Sequence, residues 1–326
     1  MKPIPYSYAI VIVTYNRLHM LKNCLEHAFC QTMEPEAVIV VDNASTDGTT
    51  EYLEEIKENG FQDASTQMQA AANTKILIYH EKENVGGAGG FSDGMKIAMR
   101  YTKAEWILVI DDDAILDYDC AEKMDPRFQT GDKETPVQVV ACAVYYKGEL
   151  ELNHRQDEKG PVSAKCYEQG PLFCKRTSFC GSMFHRSLIE KIGYPRKDYF
   201  IWFDDTEYSL RAAKYSDILV IPEAKLQHGD PNAPDRRAVV DWRYYYGTRN
   251  QLDMLRRHRK VGRLVAFNIE VRLIVLLRYL RLAIHVLNKE RRKQDLYEAA
   301  IFRDGRKDGM RGNLGKRIEY LPGKRE

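Results

Sequence analysis

Residues 106 to 113 read Trp-Ile-Leu-Val-Ile-Asp-Asp-Asp, an apolar run that ends in three consecutive carboxylates. A run of this length suits a central strand covered on both faces. The three acids at its end repel one another and favour no fold by themselves. Hard oxygen ligands suit Mg²⁺ or Mn²⁺, and such a cation cancels the local charge. Ligands of open α/β sheets also bind beyond the carboxyl ends of strands. Asp111, Asp112 and Asp113 therefore mark an expected metal site that holds a phosphorylated ligand. The plainer alternative is a solvated acidic turn.

The segments around this run alternate between strand and helix. Ala9 to Val13, Ala37 to Val41 and Lys75 to Tyr79 read as strands, and Leu18 to Phe29, Glu51 to Lys57 and Phe91 to Tyr101 as helices. Such alternation predicts an α/β fold with a mostly parallel, Rossmann-like sheet flanked by helices. Asp125 to Thr135 is polar and loop-like. Val137 to Tyr146 reads as a strand, Phe179 to Gly193 as a strand followed by a helix, and Tyr208 to Lys214 as a helix. The apolar stretch Tyr8 to Val13 is too short for a signal-peptide core and reads better as the first strand.

Charge divides the chain. From Arg256 onward there are 20 Lys and Arg against 8 Asp and Glu, and before it 29 against 39. An acidic body with a basic end suggests that the two parts meet different partners. Residues 1–250 are expected to form the α/β body and 251–326 a helical, basic C-terminal segment. Val261 to Leu287 is strongly apolar, but arginines interrupt it well short of the roughly 18 residues a bilayer span needs. Two readings stand for it: a basic amphipathic helix on an anionic membrane surface, or a helix packed on the body or on another subunit of a homo-oligomer. The tail from Asp304, rich in glycine and basic residues, predicts disorder. Nucleic acid is not an expected partner, because the basic excess lies beside an apolar helix without interleaved stacking residues. The seven cysteines are scattered and include no CxxC, which suits reduced thiols in a cytoplasmic protein.

Further motifs sit where strands are expected to end. Thr14-Tyr15-Asn16-Arg17 follows the first strand, and Asp42-Asn43-Ala44-Ser45 the second, where an Asp can accept from a ribose hydroxyl or a base N–H. Capping and turn formation explain the same residue types. Asn84 precedes Gly86, Gly87, Gly89 and Gly90, a run that lets backbone approach a ligand at the start of a helix. Trp202-Phe203-Asp204-Asp205-Thr206-Glu207 places aromatic residues before three carboxylates. It reads either as a general base with supporting acids or as an acidic helix N-terminus. His228 follows a β-like stretch and is a candidate ligand for a transition metal, although a lone His is more often structural.

Taken in order, these motifs resemble family-2 inverting glycosyltransferases of the GT-A fold over about residues 8 to 250. The glycine run Asn84 to Phe91 looks most like the galactofuranosyltransferase branch, which uses UDP-galactofuranose. Tyr244 to Asn250 is similar to a stretch in rhamnosyltransferase relatives, which use dTDP-rhamnose. The resemblance implies that Thr14, Tyr15, Asn16, Arg17, Asp42, Asn84, Gly86, Gly87, Gly89, Asp111 and Asp112 line the donor. It implies Asp111, Asp113 and His228 as ligands of Mn²⁺ or Mg²⁺. Asp205 is the implied base, with Trp202, Asp204 and Glu207 binding the acceptor or supporting that base. The implied acceptor is a glycan or a polyprenyl-linked sugar in cell-surface polysaccharide synthesis, at or near the inner face of the cytoplasmic membrane. The rival classes are a non-catalytic nucleotide-sugar binding module and a nucleotidyltransferase. The latter usually carries a glycine-rich loop after the first strand, where this chain has Thr-Tyr-Asn-Arg.

Overall fold

The computed structural model describes residues 6–61, 73–126, 137–230, 239–285 and 288–323. Strand β1 (Tyr8–Thr14) shows how the body is built. Ile10 and Ile12 enter one buried cluster, while Ala9, Val11 and Val13 enter another on the opposite face. Side chains alternate along a strand, so an uninterrupted apolar run is one that is covered twice. Helices α1 (Leu18–Phe29) and α2 (Thr49–Asn59) cover the first face through Leu21, Leu25, Leu53 and Ile56. Strands β2 (Ala37–Asp42) and β3 (Lys75–His80) extend the sheet, and α3 (Gly86–Tyr101) covers the second face through Met95 and Ala98.

The triple-Asp strand is β4 (Trp106–Asp111), which pairs in parallel with β1, while β1 and β2, and β2 and β3, are also parallel. The order β3-β2-β1-β4 continues through Ser182–His185, then β6 (Val139–Tyr146), Ile218–His228 and β5 (Ala114–Leu116). The N-terminal half of the sheet is thus wholly parallel. The other half is mixed: Ser182–His185 runs antiparallel to both neighbours, and β5 antiparallel to Ile218–His228. The β5 pairing sets His228 beside Ala114, directly after the three acids.

One helix starts earlier than its periodicity predicts. The glycine run is the first turn of α3, not a loop before it. A Cβ at Gly90 would lie 2.5 Å from the Val13 side chain, and one at Gly94 2.5 Å from that of Val11. Glycine costs a helix about 1 kcal/mol relative to Ala. Here it lets the helix backbone lie directly on β1.

The chain divides into two compact units, Met1–Pro195 with Asp205–Ala233, and Arg196–Asp204 with Pro234–Glu326. Position 250, expected to end the first domain, lies inside the helix Arg243–Arg257. The second unit also holds the helices Val261–Ile284 and Lys289–Arg311, around a cluster that includes Phe200, Tyr245, Tyr246, Val271, Ile301 and Phe302. The expectation of disorder from Asp304 is corrected here: residues 304–311 complete a helix. Cβ atoms at Gly305 and Gly309 would lie 2.7 Å from the Tyr245 carbonyl oxygen and 2.5 Å from that of Arg249. These glycines are the contact surface by which two helix backbones approach. The expected loop 125–135 falls mostly outside the described residues. All seven cysteines are free thiols.

Candidate functional site

The parallel pairing of β1, β2 and β4 brings their carboxyl ends together, Thr14 beside Asp42 and Val13 beside Asp111. Thr14 Oγ1 donates to Asp112 Oδ2 at 2.8 Å, and Arg17 Nη1 reaches Asp112 Oδ1 at 3.0 Å and Asp113 Oδ2 at 2.9 Å. Asp112 is thereby tied inward, between the end of β1 and one cation. Asn16 adopts a left-handed conformation (φ 52°). Its backbone N–H donates to Ser45 Oγ, and its Oδ1 accepts from the backbone N–H of Thr46 at 2.7 Å. Tyr15 and Asn16 are thus set on a loop that is stitched to the end of β2.

Asp42 is buried and both its oxygens are engaged. Oδ1 accepts from the Ser45 N–H, and Oδ2 from Thr50 Oγ1 and from His80 Nδ1. Burial opposes ionisation, but the hydrogen bonds from Thr50, Ser45 and His80 outweigh it and hold this carboxyl below its usual range. Asn43 continues the pattern: its Oδ1 accepts from Val85 N–H, and its Nδ2 donates to Asn84 Oδ1, which also accepts from Gly86 N–H. Asn84 therefore fastens the N-terminus of α3 to β2. Gly86 needs its positive φ of 76°, and a Cβ at Gly87 would meet nothing within 4 Å, leaving that face of the backbone open. Gly89 lies against its own helix's first turn, where a Cβ would meet Val85 at 2.5 Å.

Beyond Asp112 the charges are less well satisfied. Burial, then Asp113, push the Asp111 carboxyl up to about 7, and burial takes Asp112 up to about 6 despite Arg17. Asp113 Oδ1 is buried without a hydrogen-bond partner among the described residues and lies 3.6 Å from His228 Nε2. The other ring nitrogen of His228 meets Glu151 Oε2 at 3.2 Å, and the same oxygen meets His154 Nε2 at 3.0 Å. Burial works against a charged His228, but Glu151, Asp113 and Asp111 outweigh it and raise its pKa. Hydrogen bonds from His154 and His228 take Glu151 down to about 2. Ligand atoms of Asp111, Cys180 and His228 lie within 4.8 Å of one another, as do those of Glu151, His154 and His228. An orphaned carboxylate oxygen, a carboxyl that burial and an acidic neighbour push up, and an imidazole held from behind by a carboxylate are donor types that suit a divalent cation.

Asp205 stands in the first turn of the helix Asp204–Ala212 and accepts from the backbone N–H and Oγ1 of Thr206. Burial raises its pKa, against those bonds and the more distant charge of Arg155. Glu207 is buried and bound to Arg211 Nε at 2.9 Å, while Arg211 holds the carbonyls of Ile192 and Tyr194. That tie makes Glu207 an anchor of the helix start. Asp204 is buried as well.

Trp202 belongs to the second unit and is partly exposed, in a turn where Phe200, Trp202 and Phe203 all have positive φ (66°, 64° and 68°). Such backbone persists only where surrounding contacts over-determine it. Asn250 Nδ2 donates to the carbonyls of Tyr199, Ile201 and Trp202, and Arg249 to those of Asp198, Tyr199 and Gly315. Gly247 leaves room for the indole, since a Cβ there would lie 2.7 Å from it. The stretch Tyr244 to Asn250, which sequence reading connected with the donor sugar, is a clamp on this turn.

Sequence reading also missed the fully buried Arg155. Its guanidinium is held by the carbonyls of Cys142, His154, Cys180 and Gly181 and by Ser178 Oγ. Its charge bears on Asp205, His154 and Cys180, and so links the base candidate to the acid cluster electrostatically. A lone Arg in a polar loop gave no signal, and neither did Glu151 or His154.

Residues 9–193 match the model of glycosyl transferase family 2. The chain belongs to that family. Over 275 residues it is 24% identical to the galactofuranosyltransferase GlfT2 of Mycolicibacterium smegmatis, a match that takes in 76% of this chain and 40% of that protein. It therefore spans about two fifths of that relative's length. It is 26% identical over 240 residues to the uncharacterized glycosyltransferase YwdF of Bacillus subtilis, covering 71% of this chain and 77% of that one. Among solved structures, the mannosyltransferase PcManGT from Pyrobaculum calidifontis, in complex with GDP-Man and Mn²⁺, superposes with a TM-score of 0.55 at 14% identity. That superposition covers 94% of this chain and 88% of the other, and it speaks for the GT-A fold.

Proposed function

We propose that this glycosyltransferase moves galactofuranose from UDP-galactofuranose to a hydroxyl of a glycan or polyprenyl-linked acceptor, with inversion and with a divalent cation. The observation that carries the metal and donor reading is Asp113 Oδ1, buried, without a hydrogen bond and 3.6 Å from His228 Nε2 at the strand ends. Asp111, Asp113 and His228 would hold the ion, with Glu151 orienting the imidazole from behind. Bound there, Mn²⁺ or Mg²⁺ supplies Lewis-acid neutralisation of the diphosphate as it leaves.

The remaining roles fall to the chain. Thr14, Tyr15, Asn16 and Arg17 line the nucleotide, and Asp42 acts by ordering the Ser45–Thr50 loop beside it. Asn84, Gly86, Gly87 and Gly89 lie along the donor with the first turn of α3. Asp112 holds Arg17 and Thr14 in place. Asp205 takes the proton of the acceptor hydroxyl. The acceptor oxygen then bonds to the anomeric carbon from the face opposite the diphosphate, whose C–O bond breaks as the new one forms. One displacement inverts the centre, by the geometry that separates inverting from retaining glycosidases. Trp202 offers the acceptor an apolar face, and Asp204 and Glu207 hold the start of the helix that carries the base. In this reading residues 1–250 carry the transfer and 251–326 serve association. Work on a polyprenyl-linked acceptor would take place at the inner face of the cytoplasmic membrane.

The furanose is preferred because the relative GlfT2 is named a galactofuranosyltransferase. The stretch that suggested rhamnose holds the Trp202 turn. Turnover of UDP-galactofuranose, UDP-galactopyranose and dTDP-rhamnose by the full chain with Mn²⁺ tests the choice. Preference for the furanose is expected. Preference for dTDP-rhamnose would overturn the sugar and keep the mechanism.

A further inference from the structure

The helix Val261–Ile284 has two apolar sides. One, with Val271 buried and Phe267, Ile274 and Val275 partly so, packs into the core of its unit. On the opposite side Val265, Ile269, Leu273, Leu276, Leu280 and Ile284 follow one another at intervals of three or four residues. Each is between 52% and 77% exposed. At 100° per residue this spacing makes one continuous stripe, on a helix about 36 Å long. Solvent-facing stripes of this extent mark an interaction surface.

Charge says what covers it. Arg263 and Arg281 flank one edge of the stripe and Arg272 the other, all exposed, and Glu270 is the helix's single acid. Among the described residues neither Arg272 nor Arg281 forms an ion pair. A third cation is close by: Arg306, which donates to Asn268 Oδ1 at 2.9 Å, lies near enough to Arg272 to feel its charge. Pairing with a second copy of the helix would set cationic edges against each other. An anionic lipid surface answers both features, because headgroups meet the arginines while acyl chains take the stripe. Among the described residues no helix is long and apolar enough to cross a membrane.

We infer that this outward stripe and its arginine borders dock the protein on an anionic lipid bilayer, with the helix lying in the plane of the interface. The surface is argued from the helix itself and stands whatever sugar is transferred.

The test is co-sedimentation of the full chain with phosphatidylcholine vesicles, with and without phosphatidylglycerol, at low and raised salt. Binding to the anionic vesicles is expected, and it weakens as salt screens the arginines. A Leu276→Ser, Leu280→Ser variant should bind at least roughly tenfold more weakly. Arg272→Gln with Arg281→Gln should also lose roughly tenfold, and only on anionic vesicles. All these side chains are exposed, so melting temperatures should match the parent and separate docking from folding. Failure of the folded parent to bind either vesicle would overturn the inference, as would undiminished binding by the serine variant. A parent dimer in sedimentation velocity that the serine pair disperses, without vesicle binding, would hand the stripe to a second copy instead.

Discussion

Two sets of wholly or partly buried carboxylates, Asp253 and Asp308 in the C-terminal unit and Asp111 to Asp113 in the N-terminal unit, are treated in opposite ways. In the C-terminal unit Asp253 is fully buried and accepts from Tyr199 Oη at 3.0 Å, from Arg256 at 2.6 Å and from Arg257. Burial opposes its ionisation, but those arginines outweigh it and hold its pKa below the usual range. Asp308 there accepts from Tyr245 Oη and Arg317. In the N-terminal unit Asp111 and Asp112 are pushed up, and an oxygen of Asp113 is left without a hydrogen bond. A buried acid with its partners supplied holds the fold together. One left short costs stability, and it marks a site that a ligand completes.

The largest effect that can break this contrast concerns Asp205. Asp205→Asn should leave donor affinity within about twofold and lower transfer by roughly 10³-fold, within the range for a lost general base. In the parent the acid limb of kcat/KM should lie above the ordinary carboxylate range, since burial raises this group's pKa. A variant that keeps turning over would remove Asp205 from the base role.

Next in size is Asp253→Asn, which strips the C-terminal unit of a satisfied acid. Thermal unfolding should shift down by about 2 kcal/mol, or roughly 5 °C, with donor affinity unchanged. An unaltered melting temperature would mean that Asp253 is not the anchor its contacts suggest.

The smallest effect has the opposite sign. An acid whose folded pKa is raised disfavours folding once pH passes its unfolded value of 3.8, and the penalty grows until pH passes the folded value of about 7. The full shift would amount to roughly 4 kcal/mol, but Asp111 is only partly buried and solvent screens it. In EDTA at pH 8, Asp111→Asn should therefore stabilise the protein by about 1 kcal/mol, roughly 3 °C in Tm. At pH 4 the two should melt together. Destabilisation at pH 8 would show that the acid cluster is already balanced by the protein.

Much of the first unit was legible because its signals are local. An apolar run between turn residues specifies a doubly covered strand, and β1, β2 and β4 with their polar ends could be read directly. What escaped reading depends on neighbours distant in sequence. Arg155 acts through carbonyls of residues 142 and 180–181, and Glu151 through His228, 77 positions away. Glycines were misjudged for the same reason. Gly90 and Gly94 have meaning only against Val13 and Val11, and Gly305 and Gly309 only against the helix that holds Tyr245 and Arg249. The run at 86–90 was placed before a helix that it in fact opens, and the tail from 304 was read as disorder. At Gly90, Gly94, Gly305 and Gly309 the glycine is a contact, which composition cannot reveal.

The most direct test of the under-satisfied acids is calorimetric titration of UDP-galactofuranose into the full chain with Mn²⁺ and with EDTA, beside Asp113→Asn. Donor binding that depends on Mn²⁺ and weakens by roughly 100-fold in the variant is the predicted result. Equal binding with and without the metal, unaffected by the loss of Asp113, would contradict it.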